Sequence, residues 1–481
     1  MIDQKTRDQY EATIGIECHV QLKTKTKLFS AVGNDAREAP PNTLVSHIDF
    51  GLPGALPVLN REVIHLATRA AFALGAEPEK FSKFDRKHYF YPDLPKGYQI
   101  SQYDEPIITK GSVRIEVDGQ EKTIGITRAH LEEDAGKSTH QTGQDYSLVD
   151  LNRAGTPLLE IVSEPDMHSA AEAKAYAREL YLLMRYADVS EANLFYGNMR
   201  FDVNVSVSKT DELGTRSETK NLNSFKAVEK AIEYEINRQI ELLEKGQKIV
   251  QETRGWDDAK QKTFSQRTKE DADDYRYMPD PDIPPITIDQ EYIDKIKNEM
   301  PKLIADYRDE FGSMNIDAKV VEDILANPDI ALQVSRILEK SGKDDARRAA
   351  FWLLEAPETE DETPESDNHQ VSDEQFMKLS ALVGENKLSS TAAKEVFVQM
   401  QKSDSDPETI AAEKNLLQVS DEGEIAKIVE QVISDNPKAA EDVKSGEMKA
   451  IGFLVGQVMK ASKGKANPSL AQDLIKKQLG I

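Results

Sequence analysis

Two periodicities divide the chain. Up to about residue 290, short segments alternate apolar and polar positions with a period of two: TIGIECHVQL, SVRIEVDG, KTIGITRAHLEE, MRFDVNVSV and TRSETKNLNS. That alternation sends successive side chains to opposite faces of a strand, and turns are expected at Asp118-Gly119 and around Gly214. Helical periodicity interrupts the strands at Arg61 to Leu74, Ala170 to Tyr186 and Ser224 to Lys245. The segment YMPDPDIPPITI, from Tyr277 to Ile288, holds too many prolines for a helix or a central strand and marks a boundary. Beyond it the pattern is helical almost throughout, beginning with Glu291 to Phe311, Ala318 to Ala326, Ile330 to Lys340 and Ala346 to Leu354. No fixed-period repeat is present. The expected fold class is α+β: a mostly antiparallel sheet body with flanking helices over residues 1–290, then an all-α domain over 291–402 and a small helical tail over 403–481.

Composition narrows the class. With 39% hydrophobic residues the chain is too apolar for a disordered acidic protein. Charged residues at 30%, a mean hydropathy of −0.57 and no apolar run near the ~20 residues of a spanning helix exclude an integral membrane protein. Cys18 is the sole cysteine, which excludes a disulfide and an all-cysteine metal cluster. The start MIDQKTRDQYEA carries no signal or transit pattern, so the expected location is cytoplasmic.

The net charge of −24 argues at first against a nucleic-acid partner. It is unevenly spread. Residues 357–374 hold eight acids and no Lys or Arg, which reads as a solvated, mobile loop. The last 31 residues instead carry Lys460, Lys463, Lys465, Lys476 and Lys477 against one acid, Asp473. An acidic average is therefore compatible with local phosphate contacts.

Strand alternation also locates the candidate chemistry. Glu17, His19 and Gln21 share one face of IGIECHVQL, opposite Ile16, Cys18 and Val20. In NMRFDVNVSV, Arg200, Asp202, Asn204 and Ser206 share a face, and in TRSETKNLN so do Arg216, Glu218 and Lys220. Glu17, His19, Asp202 and Glu218 are a fitting donor set for a hard cation such as Mg²⁺, which takes oxygen ligands and phosphate. A single strand of this kind is ordinarily just the solvated face of an antiparallel sheet. Repeated Glu, His, Asp and Asn, instead of Thr, Lys and Ser, favours a site. In LEEDAGKSTH, read as a loop, Glu132, Glu133 and Asp134 precede a flexible Gly136-Lys137-Ser138, but the upstream glycine of a P-loop is missing. HYFYPDLPKGYQISQYD is either a binding loop or a packed Ω-loop. LNRAGTPLLEIVSEPD sets Arg153 and Glu160 on either side of a turn. The histidines other than His19 show no zinc spacing and read as structural or solvated. No nucleophile elbow is present.

Taken in order, IGIECHVQLKTKTKLFS, HYFYPDLPKGYQISQYDEPI, RAHLEEDAGKS, NRAGTPLLEIVSEPD, ANLFYGNMRFDVNVSV, TKNLNSFKAVEKAIEYEI and DADDYRYMPDPDIPP resemble the GatB family, the B subunits of aspartyl/glutamyl-tRNA(Asn/Gln) amidotransferases. GFLVGQVMKASKGKANP looks like the YqeY-type tail of that family. No synthetase-like insertion interrupts the chain, so the B type is favoured over the archaeal E type.

The resemblance implies a cradle domain with an ATP and Mg²⁺ site over 1–290 and a tRNA-binding tail over 403–481 that uses the five lysines. It implies a heterotrimer with a glutaminase A subunit and a small C subunit. Ammonia released by the A subunit would amidate Glu or Asp carried by tRNA(Gln) or tRNA(Asn), after ATP activates the side-chain carboxylate. By motif position, the metal ligands would be Glu17, His19, Glu132, Asp202 and Glu218. The catalytic set would be Glu132, Glu133, Glu160, Arg200 and Lys220, and Lys137, Arg200, Lys220 and Asn221 would contact the nucleotide. Many relatives carry a four-cysteine zinc site near the segments that here read KLFSAVGND and TLVSHIDFG. With Ser30, Ser46 and His47 in that region, no structural zinc is expected. The competing readings are a non-catalytic RNA-binding scaffold and a free-standing metal-dependent hydrolase or kinase.

Overall fold

The computed structural model describes residues 2–140, 143–268, 275–355, 371–418, 422–445, 449–462 and 466–481. The chain is α+β, and it divides into two compact units, Met1–Ile304 and Ala305–Ile481.

The first unit is built on one large sheet, whose eleven strands among the described residues we number in chain order. They are β1 (Glu11–Gln21), β2 (Asp85–His88), β3 (Tyr98–Ser101), β4 (Gly111–Val117), β5 (Gln120–Glu133) and β6 (Pro157–Ser163). There follow β7 (Met199–Ser208), β8 (Ser217–Leu222), β9 (Glu252–Asp257), β10 (Lys262–Thr268) and β11 (Met278–Pro279). The spatial order is β10-β9-β8-β7-β1-β6-β5-β3-β2-β11, with β4 paired to β5. Every pairing is antiparallel except β8 with β9. The hairpin β4–β5 closes through Asp118-Gly119, both at positive φ (52° and 76°), as a two-residue primed turn requires. The proline-rich segment contributes two two-residue strands, β11 at the edge of this sheet, where a missing N–H is tolerated, and Ile286–Thr287, which pairs separately with Phe81–Ser82.

Alternation builds two faces of opposite character. Ile14, Ile16, Cys18 and Val20 of β1 and Phe201, Val203 and Val205 of β7 are fully buried on the apolar face. Helices Ala170–Tyr186 and Phe225–Glu244 cover that face, contributing Tyr176, Leu180, Met184, Val228, Ile232 and Ile236 to the same core. Each buried Val, Ile or Phe contributes about 1.5–3 kcal/mol, so slipping β1 by one residue would exchange its apolar set for Glu17 and His19 and is strongly disfavoured. Both helices begin at a serine N-cap, where Ser169 accepts from the Glu172 amide at 3.1 Å and Ser224 from the Ala227 amide at 3.0 Å.

Two sequence expectations change. LEEDAGKSTH is not a loop: Glu132 and Glu133 end β5, and Lys137–His140 pairs with Ser147–Asp150 as a hairpin. Glu291 to Phe311 is not one helix but two, Gln290–Asn298 and Ile304–Gly312, because Pro301 removes a donor and turns the preceding residue away from α geometry.

The second unit is helical. Its last four helices, Glu422–Asp435, Pro437–Lys444, Lys449–Ala461 and Pro468–Leu479, share a core that includes Val429, Leu454, Val458 and Ile475. The acidic stretch 357–374 lies outside the described residues except for its last four positions. Of these, Asp373 accepts from Arg336 at 3.0 Å. Among the described residues no helix is long and apolar enough to cross a membrane.

Candidate functional site

The polar face of the sheet is sunk below the surface. Asp202 and Glu132 each keep only 3% exposure, which excludes an ordinary solvated strand face. A cavity of about 570 Å³ opens there, bordered by Glu17, His19, Glu132, Glu160, Arg200 and Lys220 together with Lys87, Asp134 and Arg153.

Sheet register explains who meets whom. Glu17 of β1 lies opposite Asp202 of β7, and His19 lies opposite Arg200. Glu160 of β6 lies between two imidazoles, opposite His19 on one side and His130 of β5 on the other. Two clusters result. In one, Glu17, Asp202 and Glu218 bring one carboxylate oxygen each within 4.8 Å of the others. In the other, a ring nitrogen of His19 and one carboxylate oxygen each of Glu132 and Glu160 lie equally close. The five residues assigned as ligands from sequence therefore fall into two groups rather than one.

A β-bulge shapes the first group. Phe201 pairs with Leu222 and Val203 with Thr219, so Lys220 and Asn221 together face the single residue Asp202. Asn221 takes the left-handed conformation (φ 60°), which Asn tolerates better than most residues. Its amide donates to Asp202 Oδ1 at 2.8 Å. The extra residue aims Lys220 Nζ between Asp202 Oδ2 (3.1 Å) and Glu218 Oε1 (2.9 Å). Thr253 donates to the other Glu218 oxygen at 3.1 Å, and Asn204 donates to Glu17 at 3.1 Å. Burial, and then the charge of Glu160, raises the Glu17 carboxyl. Burial also raises that of Asp202, but Lys220 and His19 outweigh it and the net shift is downward. The same carboxylates hold the Lys220 ammonium well above its ordinary value despite burial.

In the second group, His19 Nε2 stands 3.6 Å from Glu132 and 3.5 Å from Glu160, and His130 Nε2 stands 3.8 Å and 3.4 Å from the same two carboxylates. Burial opposes charge on both rings. The Glu160 hydrogen bond and charge prevail at His19, whose pKa rises, and Glu160 with Glu132 pushes His130 up to about 9. The two rings in turn hold Glu160 well below the carboxylate range. Both Nδ1 atoms are buried without a hydrogen-bond partner, and both Nε2 atoms aim at the carboxylates. Both rings face this carboxylate pair, and a divalent cation at the same point would neutralise it. Oxygen donors with imidazole fit such an ion, and the all-oxygen Glu17/Asp202/Glu218 set fits Mg²⁺ most directly. His130, read as structural or solvated, is buried against Glu132 and Glu160 and so is structural rather than solvated. Its signal was present in HLE, which puts His130 and Glu132 on one strand face.

The remaining residues divide. Asp134 clamps two guanidinium groups, Arg200 at 3.1 Å and Arg153 at 3.0 Å, and so fixes Arg200 over the cavity. Lys87 reaches the cavity past the Tyr275 ring, 4.8 Å from its centroid. Asn221 borders the cavity as well. Glu133, assigned beside Glu132, points the other way by strand alternation, toward Lys96 and the Ile100 amide (2.9 Å). Lys137 borders a neighbouring cavity with Arg153. Arg216 precedes β8 and borders a smaller cavity with Glu17, Asn204 and Ser206. Where the four-cysteine site was considered, Asp49 accepts from Ser30 Oγ at 3.2 Å and the Ser46 amide at 2.7 Å, with buried Lys27 at 3.6 Å. In the tail, Lys460 and Lys477 are exposed and Lys476 is half-buried, whereas Lys463 and Lys465 lie outside the described residues.

Residues 12–294 match the family described as the GatB/GatE catalytic domain, and residues 335–479 match the family described as the GatB domain. The chain is 45% identical to the B subunit of the aspartyl/glutamyl-tRNA(Asn/Gln) amidotransferase of Carboxydothermus hydrogenoformans, over 98% of this chain and 99% of that protein. Proteins of the same name from Caldanaerobacter subterraneus and Bdellovibrio bacteriovorus are 47% and 46% identical, with the same coverage.

Proposed function

The chain belongs to the GatB/GatE catalytic family, and on that premise we propose that it is the ligase-type subunit of a tRNA-dependent amidotransferase. It converts Glu or Asp misacylated on tRNA(Gln) or tRNA(Asn) into Gln or Asn. ATP phosphorylates the side-chain carboxylate, and ammonia from a glutaminase A subunit displaces the phosphate, in a heterotrimer completed by a small C subunit. The observation that carries this reading is the meeting of two carboxylate clusters with Lys220 and Arg200 in one recessed cavity.

The chemistry asks for positioning and charge neutralisation more than for a covalent protein group. Glu17, Asp202 and Glu218 would hold Mg²⁺ against the nucleotide phosphates, with His19, Glu132 and Glu160 as a second donor set. When bound, the cation supplies charge neutralisation at the phosphate oxygens. Lys220, fixed by the bulge, and Arg200, fixed by Asp134, present their cations to the same oxygens. The recessed walls limit water at an acyl phosphate that hydrolysis would waste.

The direct test is the purified complex with glutamine or ammonium as nitrogen donor. ATP-dependent formation of Gln-tRNA(Gln) or Asn-tRNA(Asn) is expected, and failure with both misacylated tRNAs sinks the proposal. For the tail, Lys460, Lys476 and Lys477 replaced together by Ala should lower the slope of log affinity against log salt by about 0.7–0.9 for each phosphate that is no longer neutralised. If even deletion of residues 403–481 leaves tRNA affinity and that slope unchanged, the tail is not the tRNA-binding element.

A further inference from the structure

Lys27 is a buried ammonium that the mechanism above does not use. It lies in the segment after β1, fully buried, and its Nζ donates to the Leu44 carbonyl at 2.6 Å and stands 3.6 Å from Asp49 Oδ2. Burial pulls the ammonium below its ordinary value, and Asp49 opposes that pull. Burying an ion pair is a poor way to gain stability, because apolar side chains of similar volume commonly do as well or better. What such a pair provides instead is a fixed place for the segments it joins.

We propose that Lys27 and Asp49 are positioning residues for the amidation site: they fix the turn 152–155, and the turn fixes Asp134, which holds Arg200 over the large cavity. This rests on the reading above that Arg200 faces the nucleotide phosphates. Close approach is the first argument. Gly155 of that turn, at φ 82°, passes so near the pair that a Cβ on it would lie 2.7 Å from Asp49 Oδ1 and 3.5 Å from Lys27 Cδ. The left-handed φ and the crowding both demand glycine. Its carbonyl accepts from the Leu28 amide at 2.9 Å, so the residue after Lys27 grips the turn through the backbone as well. The start of the turn is the second argument. Leu44, whose carbonyl takes the ammonium, donates its amide to Oδ1 of buried Asn152 at 2.8 Å. Both ends of the turn thus hang on the segments that the pair joins.

Continuity into the site is the third argument. The Gly155 amide donates to the Asp134 carbonyl at 2.9 Å, and the Asp134 amide donates to the Thr156 carbonyl at 2.8 Å. These two bonds, made in opposite directions, set the backbone of Asp134 directly beyond β5. Its carboxylate then receives Arg200 at 3.1 Å and Arg153, from the turn itself, at 3.0 Å. A shift of Asp49 therefore passes through Gly155 to Asp134 and so to the guanidinium.

The test uses the whole amidotransferase complex at saturating glutamine and aminoacyl-tRNA. Lys27→Met with Asp49→Asn removes both charges and keeps both shapes, so the complex should assemble and melt within a few degrees of native. Its kcat for ATP-dependent amidation should fall about tenfold to a hundredfold, the scale on which a small misplacement of a reacting group tells. KM for ATP should change by less than about threefold. Gly155→Ala keeps both charges but drives a methyl into Asp49, and it should lower kcat in the same way. Arg200→Lys loses the fork that Asp134 holds and is slow by itself. Adding the double change at 27 and 49 to it should cost less than about a further twofold, because the route runs through Arg200. The assignment is overturned if the folded double variant keeps the native kcat. It is also overturned if the cost of the double change is undiminished in the Arg200→Lys background, the signature of a merely structural pair. Where the double variant does not assemble, Gly155→Ala decides alone, and a native kcat there overturns the assignment. A native complex without ATP-dependent amidation overturns the parent reading instead, which separates the two failures.

Discussion

Glu218→Gln is expected to lower ATP-dependent amidation by on the order of 10²–10³-fold, the scale seen when one preorganised charge-stabilising group is removed. The substitution keeps the shape of the side chain and the Thr253 contact but deletes one of three charges that would hold a cation. Lys220 keeps Asp202 at 3.1 Å, so the bulge and the local fold survive. Glutamine hydrolysis by the partner subunit and assembly of the complex should therefore be unaffected, and His19→Ala should behave alike. Single-turnover amidation with preformed Glu-tRNA(Gln) or Asp-tRNA(Asn) checks this. A native rate in the purified Glu218→Gln complex would refute the assignment of this cluster.

The second large effect is on stability. Glu235, fully buried in helix Phe225–Glu244, pairs with Arg238 at 2.7 Å and Arg254 at 3.0 Å and accepts from Ser217 at 2.6 Å. Thr263 donates to it as well. One carboxylate thus ties the helix to β8, β9 and β10, and β9 carries the Thr253 that orients Glu218. Glu235→Leu leaves Arg254 buried without this counter-charge and should cost about 3–5 kcal/mol. Burial raises the Glu235 carboxyl, but Arg238 leads the hydrogen bonds and charges that bring it below its ordinary value of 4.5. The contribution of Glu235 is therefore complete above its ordinary value of 4.5 and declines as the pH falls through the lower folded value. Thermal melts of full-length Glu235→Gln and native protein should differ most near neutral pH and converge in acid. A gap that widens in acid would contradict this sign. At temperatures where the variant stays folded, amidation should remain near native.

The strand readings were legible because β1 and β7 obey strict alternation, and a sheet with one buried face permits no other register. That alone brought Glu17, His19, Asp202 and Glu218 to one face. The order of strands was not legible. Glu160 gathers His19 and His130 only because β6 lies between β1 and β5, a long-range pairing no local pattern encodes. Nor was the bulge, because an unbroken period of two would not set Lys220 and Asn221 together against Asp202. The left-handed Asn221 ends the alternation that Arg216, Glu218 and Lys220 follow. Glu133 failed for the opposite reason: two adjacent acids cannot point the same way from a strand. Pro301 was plain in the sequence and outweighs the apolar spacing around it.

Cys18 lies fully buried in β1, directly between Glu17 and His19 in sequence and on the other side of the sheet. Burial pushes its thiol well above the ordinary range, so little thiolate forms while the sheet is closed. As the chain's one sulfhydryl, it is a clock for the strand that carries the chemistry. Its rate of reaction with a disulfide reagent counts openings of that strand, and nucleotide or tRNA that binds the closed form will slow it.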